Sequence, residues 1–207
     1  MKTILRNLKT AVLVSISMFV ICGIFYPLAM TGISQVLFPY QANGSLVEKD
    51  GEIIGSMLVG QDFTDDRLFH CRPSAYNYNT YTLEDKSNKN YSGIASGGYN
   101  YAASNPELKK RIEDNINEFL KENPTISKED IPSDIITASG SGLDPHISIE
   151  AAQVQVDRVS KNTSISKERL NEMIKESTET KFLGIFGEDT VNVLKLNLEI
   201  ANEISLD

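Results

Sequence analysis

The stretch Ala11–Met30 reads AVLVSISMFVICGIFYPLAM, and this run of uncharged, mostly apolar residues decides the fold. No charged residue occurs between Lys9 and Glu48. At a rise of about 1.5 Å per residue, a helix of this length spans roughly 30 Å, the thickness of the hydrocarbon core of a bilayer. The sequence therefore predicts a transmembrane helix, which we place over residues 11–35.

A cleaved signal peptide is the alternative interpretation of this N-terminus. As in a signal peptide, the basic residues Lys2, Arg6 and Lys9 precede the apolar run. A signal peptide would have a shorter apolar core, followed by small residues that form a cleavage site. Here the apolar run continues through Leu37 and Phe38 without such a site, which favours an uncleaved anchor.

The same basic residues predict the orientation of the anchor. The next basic residue along the chain is Lys49, so the positive-inside rule places a short arm, residues 1–10, in the cytoplasm. Residues 36–207 then form an extracytoplasmic domain on the cytoplasmic membrane. The chain has 28 acidic and 20 basic residues, and the arm takes three of the basic ones, so the predicted domain is strongly acidic.

The composition argues against several classes of protein. A net charge of −8 repels phosphate backbones, so we expect no nucleic-acid partner. Two cysteines are too few for a disulfide scaffold, and two histidines leave little material for a zinc site. An apolar share of 41% excludes a protein with many membrane spans.

The segment that follows the predicted span is polar but uncharged. Pro27 lies near the outer end of the span, where a residue without an N–H kinks or ends a helix. Gln35, Gln41 and Asn43 then place amide side chains close to the membrane, where polar groups usually face protein. We predict that these four residues contact the membrane helices of partner proteins. An ordinary interfacial segment is the alternative.

The rest of the sequence predicts an α+β domain. Asp50-Gly51 is typical of a hairpin turn, and Asn105-Pro106 is typical of a helix start. The predicted elements are, in chain order, a hairpin over 46–59, an irregular region over 63–101, a helix from Pro106 to the stop at Asn123-Pro124, a loop entering a short strand over 131–137, helices from near Ser148 and Ser166, and a strand that runs into a short helix from Val191.

Residues 138–147, with the sequence ASGSGLDPHI, contain the side chains that come closest to a catalytic pattern. Ser141 fails the nucleophile-elbow pattern G-x-S-x-G because Ser139 occupies the first glycine position. Asp144 and His146 would suit a metal only with more ligands, and a turn in which the aspartate accepts backbone N–H groups is the simpler interpretation. We expect no catalytic residue here, and a hydrolase built on Ser141 and His146 is the least favoured hypothesis.

Two other features have weaker implications. Residues 96–98, Ser-Gly-Gly, resemble a phosphate-binding loop but lack its lysine. Arg72 stands before Pro73, and we expect its guanidinium to pair with a carboxylate of this chain or of a partner.

Segments spread over nearly the whole chain resemble the KdpC family, the small subunit of the bacterial potassium-transporting Kdp P-type ATPases. The run Ser139–Ile147 is fairly specific by itself, and the set follows the order of the family. The matching segments are 26–28 with 31–32, 38–39 with 41–46, 55–56 with 60–61, 72–75, 138–147, Ala152 with Gln155 and 158–159, and 191–194 with 196–197.

The resemblance implies a non-catalytic accessory subunit of a high-affinity, ATP-driven potassium uptake complex. Its implied partners are a channel-like potassium-binding subunit, an ATP-hydrolysing P-type subunit and a small single-span peptide, besides membrane lipid. ATP and potassium would be handled by the complex, and this chain would carry no cofactor or metal of its own. Such subunits are proposed either to raise the ATP affinity of the hydrolysing subunit, as a catalytic chaperone, or to cap the ion entrance. We favour the second role, because only a short arm is available on the cytoplasmic side.

We also predict that residues 139–147 form a fixed loop at a partner surface. Our predicted contacts there are Arg72, Ser139, Ser141, Asp144 and His146. The chain departs from the family over residues 96–105, where relatives tend to have Ser-Asn-Leu-Gly-Pro after the glycines, which argues against a nucleotide contact in that loop. The alternative function is a membrane-anchored extracytoplasmic sensor or ligand-binding module with a cleft in residues 76–101.

Overall fold

The computed structural model describes residues 2–49, 51–88 and 93–205. The chain divides into two compact units, with the boundary between Ile54 and Gly55. The first unit contains a long apolar helix and most of a β-hairpin, and the second contains mixed helix and sheet. This architecture confirms the α+β class and the long apolar N-terminal helix.

The N-terminal helix runs from Lys2 to Leu37, and none of it is buried. It consists of α1 (Lys2–Val20), a π-helical segment (Ile21–Phe25) and α2 (Tyr26–Leu37). Its 36 residues span about 54 Å, which exceeds the hydrocarbon core of roughly 30 Å. Within the described residues it is the one helix long and apolar enough to cross a membrane.

Pro27 lies in the first turn of α2, directly after the π-helical segment. Proline removes one backbone donor from a helix, and a local π-helical turn is one of the adjustments that accommodate this loss. The helix therefore continues past Pro27, so the possibility that this residue ends it is wrong. The end comes at Phe38, whose φ of −139° and ψ of 56° are not helical and which precedes Pro39.

A short helix and a hairpin follow. These are α3 (Pro39–Ala42), β1 (Leu46–Lys49) and β2 (Glu52–Ser56), and the two strands pair as predicted. Asp50 of the predicted turn lies outside the described residues, whereas Gly51 has a φ of +84°, which favours glycine. The predicted continuation of the strand over 57–59 is wrong. The chain turns there instead, and the N–H of Val59 donates to the carbonyl of Ser56 at 3.2 Å.

The second unit begins with an irregular region, as predicted. Its described residues up to 101 contain two short helical elements, which are a 3₁₀ turn (Asn77–Asn79) and helix α4 (Leu83–Ser87). The elements after this region are α5 (Pro106–Glu122), a 3₁₀ turn (Lys128–Asp130), α6 (Ser133–Ile136), β3 (His146–Ser148), α7 (Ile149–Gln153), α8 (Val156–Thr163), α9 (Lys167–Glu176), β4 (Thr178–Glu179), β5 (Thr190–Asn192) and α10 (Val193–Glu203).

Side-chain caps explain where several of these helices begin. Asn105 accepts from the N–H of Glu107 at 2.9 Å, and Ser166 accepts from that of Arg169 at 3.2 Å, which confirms both predicted starts. Ser148 caps α7 in the same way through the N–H of Ala151. Two predictions nearby are wrong: residues 131–137 contain helix α6 rather than a strand, and the helix predicted from Ser148 is divided into α7 and α8.

Three short strands form an antiparallel sheet in the order β3-β5-β4. Ile147 is opposite Val191 on one side of β5, and Thr178 is opposite Val191 on the other. The strand β5 runs directly into α10, as predicted, and Asn192 caps that helix through the N–H of Lys195. The sheet and helices α7 to α10 enclose the core, whose fully buried large side chains include Phe69, Leu170, Met173, Leu196 and Ile200.

Buried amide side chains, rather than a strand ladder, fix the irregular segment that leads to Arg72. Asn197 is 3% exposed, and its amide both accepts from the N–H of Phe69 at 2.8 Å and donates to the carbonyl of Phe69 at 2.9 Å. Gln155 accepts from the N–H of His70 at 2.8 Å. Both amides replace the hydrogen bonds that a neighbouring strand would provide. They pair buried backbone N–H and C=O groups, which would cost folding free energy if left unpaired.

Arg158 completes this arrangement from helix α8. Its guanidinium is buried and donates to the backbone carbonyls of Asp66 and Leu68 at 2.7 and 2.9 Å, and to the side chain of Gln155 at 2.8 Å. A buried charge is tolerated where its donors are satisfied in this way. The side chains of Gln155, Arg158 and Asn197 therefore hold the backbone of residues 66–70, which fixes the segment that leads to Arg72.

Candidate partner-contact site

The structure places the predicted contact residues in two groups. Pro27, Gln35, Gln41 and Asn43 are all exposed in the first unit. The second unit brings together, around the loop 139–147, the side chains of Arg72, Ser139, Ser141, Asp144 and His146.

In the first group, Gln35 and Asn43 form a pair. The amide of Gln35 donates to Asn43 Oδ1 at 3.2 Å, and the amide of Asn43 donates to Gln35 Oε1 at 3.3 Å. Asn43 also donates to the carbonyl of Pro39 at 2.7 Å. The pair bridges the helix break at Phe38, so both amides are partly satisfied within the chain, which lowers the cost of placing them near lipid.

In the second group, Arg72 pairs with a carboxylate of the same chain. Its Nη1 lies 3.1 Å from Asp144 Oδ2, and its Nε donates to the carbonyl of Thr137 at 3.4 Å. The other carboxylate oxygen of Asp144 accepts from the N–H of His146 at 3.0 Å. The predicted Asp-Pro-His turn is therefore present. Arg72, which was predicted to pair with a carboxylate, pairs with Asp144 of this turn.

His146 lies between two carboxylates. Its Nε2 is 3.3 Å from Glu179 Oε2 on β4, and its Nδ1 is 3.7 Å from Asp144 Oδ1. The neighbouring carboxylate of Asp144 raises the pKa of His146 against the opposing effect of burial. Burial would raise the pKa of Asp144, but the hydrogen bonds from His146 and the charge of Arg72 together lower it.

The two serines of the loop hold its backbone. Ser139 accepts from the N–H of Gly142 at 2.9 Å, and Ser141 accepts from the N–H of Leu143 at 3.1 Å. The two hydroxyl oxygens are 3.4 Å apart. These contacts give both hydroxyls a structural role, and they place Ser141 in hydrogen bonds to its own loop rather than to His146.

Neighbouring segments brace the loop from several sides. Ser74 donates to the carbonyl of Gly142 at 2.6 Å, and the N–H of Gly97 donates to that of Ser141 at 2.7 Å. Tyr78 donates to the carbonyl of Arg72 at 2.6 Å and so fixes the backbone of the arginine. Neither Ser74 nor Tyr78 was predicted to act here, although Ser74 lies in one of the segments that resemble the family.

Gly60 also approaches this loop, more closely than a side chain would allow. Its N–H donates to the carbonyl of Leu143 at 2.9 Å. A Cβ at this position would lie 2.5 Å from the backbone oxygen of Asp144 and 2.5 Å from Cε1 of Tyr78. The position therefore requires glycine for space.

The segment in which the chain departs from the family forms an aromatic stack. The rings of Tyr99 and Tyr101 are 5.6 Å apart, and the guanidinium of Arg111 on α5 lies 3.8 Å from the centre of the Tyr99 ring. Among the residues that the structure describes, Nε and Nη1 of Arg111 have no hydrogen-bond partner, and the stacked rings stabilise the guanidinium through cation–π contacts.

A cavity of about 350 Å³ lies beside the site. Its lining includes Asp62, His70, Cys71 and Arg72 from the irregular segment and Glu122 from α5. Of the described residues in the predicted cleft over 76–101, two, 77 and 78, line this cavity, and most of its other lining residues precede them in the chain. Burial raises the pKa of Cys71 to about 12, which agrees with a packed thiol rather than a reactive one.

A long unburied apolar helix, together with an α+β unit whose loop 139–147 is held by hydrogen bonds from several segments, is typical of one class of protein: a membrane-anchored domain. The comparisons with known proteins identify the family within this class. Residues 8–202 match the family model described as "KdpC: K+-transporting ATPase, c chain". The chain belongs to the KdpC family.

Individual relatives are similar in sequence to this chain over nearly its whole length. The chain is 56% identical to the potassium-transporting ATPase KdpC subunit of Clostridium kluyveri, covering 100% of this chain and 98% of that protein. It is 49% identical to that of Clostridioides difficile, covering 98% and 100%. It is 47% identical to that of Caldanaerobacter subterraneus subsp. tengcongensis, covering 96% of each.

Proposed function

We propose that this chain is a non-catalytic accessory subunit of an ATP-driven potassium uptake complex. The N-terminal helix anchors it in the cytoplasmic membrane, and the α+β domain contacts the channel-like and ATP-hydrolysing subunits, with a small single-span peptide as a further partner. ATP and potassium are handled by the complex, without a cofactor of this chain's own.

The observation that carries this proposal is the full-length similarity to proteins named as KdpC subunits of potassium-transporting ATPases. The hydrogen bonds of the polar side chains in the loop 139–147 support the proposal that this chain is non-catalytic. Ser139 and Ser141 bond to backbone N–H groups, and Asp144 is held by Arg72 and by the N–H of His146. Each of these side chains stabilises the loop, and none is arranged as a nucleophile activated by a base.

The proposed orientation places the N-terminus in the cytoplasm and the domain outside it. Lys2, Arg6 and Lys9 lie at the start of the helix, and the uncharged part of the helix continues to Leu37. An acidic domain outside the membrane attracts cations by its long-range field, within the limit set by salt screening. We therefore favour a role in capping or filtering the ion entrance over a role in raising ATP affinity.

Purification of the tagged chain in mild detergent tests this function. We expect the ATP-hydrolysing and channel-like subunits to be recovered with it, identified by mass spectrometry. ATPase activity of the complex at limiting potassium, with and without this chain, then separates the two roles. A change in the KM for potassium supports capping, whereas a change in the KM for ATP alone contradicts it. Recovery of the chain alone contradicts the whole proposal.

The cavity favours a second candidate function, a ligand-binding module. Its lining carries both signs of charge, with Asp62 and Glu122 on one hand and Arg72 on the other, which suits a small zwitterion such as an amino acid. Thermal unfolding of the full chain in the presence of single amino acids tests this function. A rise in Tm that Asp62→Asn abolishes would support it, and no rise with any of them would exclude it.

A further inference from the structure

An exposed apolar turn connects β4 and β5 in the second unit. The connection between β4 and β5 contains Phe182, Leu183, Ile185 and Phe186, which are 70%, 74%, 76% and 64% exposed. We call these four residues the apolar tip. Four large apolar side chains side by side present an area on the order of 400–500 Å², which is in the range of surface patches that usually have a function.

The tip is ordered by its own backbone. The N–H of Phe182 donates to the carbonyl of Phe186 at 2.8 Å, and the N–H of Phe186 donates back at 3.0 Å. Leu183 and Gly184 have positive φ values of 55° and 71°, which close the turn. At its base, the N–H of Lys181 donates to Asp189 Oδ1 at 2.9 Å. The backbone of the tip is therefore ordered before any partner binds, which lowers the entropic cost of binding.

We propose that the apolar tip is a docking element that inserts into an apolar pocket on another subunit of the same potassium pump. This inference rests on the proposed function, because it takes its partner from the complex that the chain is proposed to join. It adds to that function the segment of the domain that makes the contact and the chemistry of the surface that receives it.

The area of the tip argues against a dimer held together by two tips alone. Two tips in contact would bury about 900 Å² in total, whereas specific stable interfaces bury about 1,200–2,000 Å². The same area is sufficient when the partner is already held nearby. A domain tied to the membrane by a helix that runs to Leu37 meets a partner in the same membrane at a high effective concentration.

The charge around the tip argues against lipid as the occupant. Glu179, Glu188 and Asp189 flank it, and Lys181 is the one basic residue between positions 176 and 194. Segments that bind membrane surfaces carry clusters of Lys and Arg, because anionic headgroups attract them by about 1 kcal/mol each and repel acidic residues. An apolar tip with an acidic rim suits a protein pocket with a polar or basic edge.

Photo-crosslinking in the intact complex tests the proposal. The full chain, co-expressed with the other pump subunits, would carry benzoylphenylalanine at position 185. We expect a crosslink to another pump subunit, identified by mass spectrometry. A crosslink only to lipid, a crosslink to a second copy of this chain, or no crosslink at all would each overturn the proposal.

Substitutions give the second measurement. Phe182→Ser with Phe186→Ser should lower the recovery of the other subunits at least tenfold, whereas Phe182→Leu with Phe186→Leu should restore most of it. Ile94→Ser is the matched control, because Ile94 is 89% exposed but outside the tip, and it should leave recovery unchanged. Equal recovery with the serine and leucine pairs would overturn the proposal. If the unsubstituted chain recovers no pump subunit, the proposed function itself fails.

Discussion

The side-chain amides of Gln35 and Asn43 hydrogen-bond to each other in both directions, at 3.2 and 3.3 Å, across the break at Phe38. This pair links the end of the membrane helix to the short helix that follows. It also leaves both residues exposed, with hydrogen-bonding capacity remaining for a neighbouring helix.

Gln35→Leu should weaken assembly of the complex while the α+β domain stays folded. Leucine removes the amide from the pair, and hydrogen bonds between membrane helices contribute about 0.6–2 kcal/mol, which corresponds to roughly a 3- to 30-fold loss of affinity. Co-purification in increasing detergent measures this loss. Ser34→Ala is the control, because the hydroxyl of Ser34 bonds to the carbonyl of Met30 in its own helix. An intact complex with Gln35→Leu would show that the amide makes no partner contact.

Asp144→Ala should lower the free energy of unfolding of the domain by about 1–3 kcal/mol, because it leaves the partly buried guanidinium of Arg72 without its ion pair. Asp144→Asn should cost less, since an amide oxygen can still accept from the N–H of His146. Urea unfolding of the full chain in detergent, followed by tyrosine fluorescence, gives both values. Equal losses for the two variants would argue that the charge of Asp144 has no part in stability.

His146 should make the stability of the domain depend on pH. Folding raises its pKa above the ordinary 6.5, so its contribution is complete below that pH and is lost as pH rises through the folded-state pKa. Asp144 has a lowered pKa and behaves in the opposite way: its contribution is present above pH 3.8 and lost below the folded-state value. The loss of unfolding free energy caused by His146→Gln should therefore be larger near pH 5 than near pH 8. A loss that is the same at both pH values would contradict the role of the carboxylates Asp144 and Glu179.

Asn197→Leu should destabilise the domain by about 2–5 kcal/mol. The substitution keeps the branching of the side chain, although leucine is larger, and it leaves the buried N–H and carbonyl of Phe69 unpaired, each of which costs about 1–3 kcal/mol. The unfolding midpoint in urea measures the effect. Asn171→Leu is the matched control, because Asn171 is exposed on α9, and it should change stability by less than about 0.5 kcal/mol. Similar results for both variants would show that the buried amide is dispensable.

Gly60→Ala should cost about 2 kcal/mol or more, because the added Cβ would lie 2.5 Å from a backbone oxygen that cannot move freely. Gly140→Ala provides the comparison within the same region. Nothing lies within 4 Å of a Cβ at position 140, so this change should be neutral or stabilising by up to about 1 kcal/mol. Thermal unfolding ranks the two, and the reverse order would contradict the close approach.

Local chemistry explains which parts of the fold the sequence could predict. The caps at Asn105 and Ser166, the apolar helix and the final strand running into a helix all follow from residues near each other in the chain. The strand predicted over 131–137 failed because the apolar residues there pack as a single helical turn, with Ile135 in the core. The division of the helix after Ser148 also escaped prediction. Gln155 lies at the break, and its side chain bonds to His70, 85 residues away.

The candidate site was predictable in its residues but not in its pairings. The turn at Asp144 and the need of Arg72 for a carboxylate are properties of short segments. That these two residues meet each other, 72 positions apart, depends on how the whole domain folds. No prediction for the apolar tip came from the sequence, because exposure cannot be judged from a short apolar run.

The hydrogen bonds between the Asn197 amide and the backbone of Phe69 join residues 128 positions apart, so they can form only late in the synthesis of the chain. A ribosome adds about 5–20 residues per second, so Phe69 is made roughly 6 to 26 s before the residue that holds it. During that interval the membrane helix already exists while the nascent domain lacks its closing helix. Nonsense or frameshift products that end before α10 would thus retain the anchor but not a finished domain, and quality-control proteases would be expected to remove them.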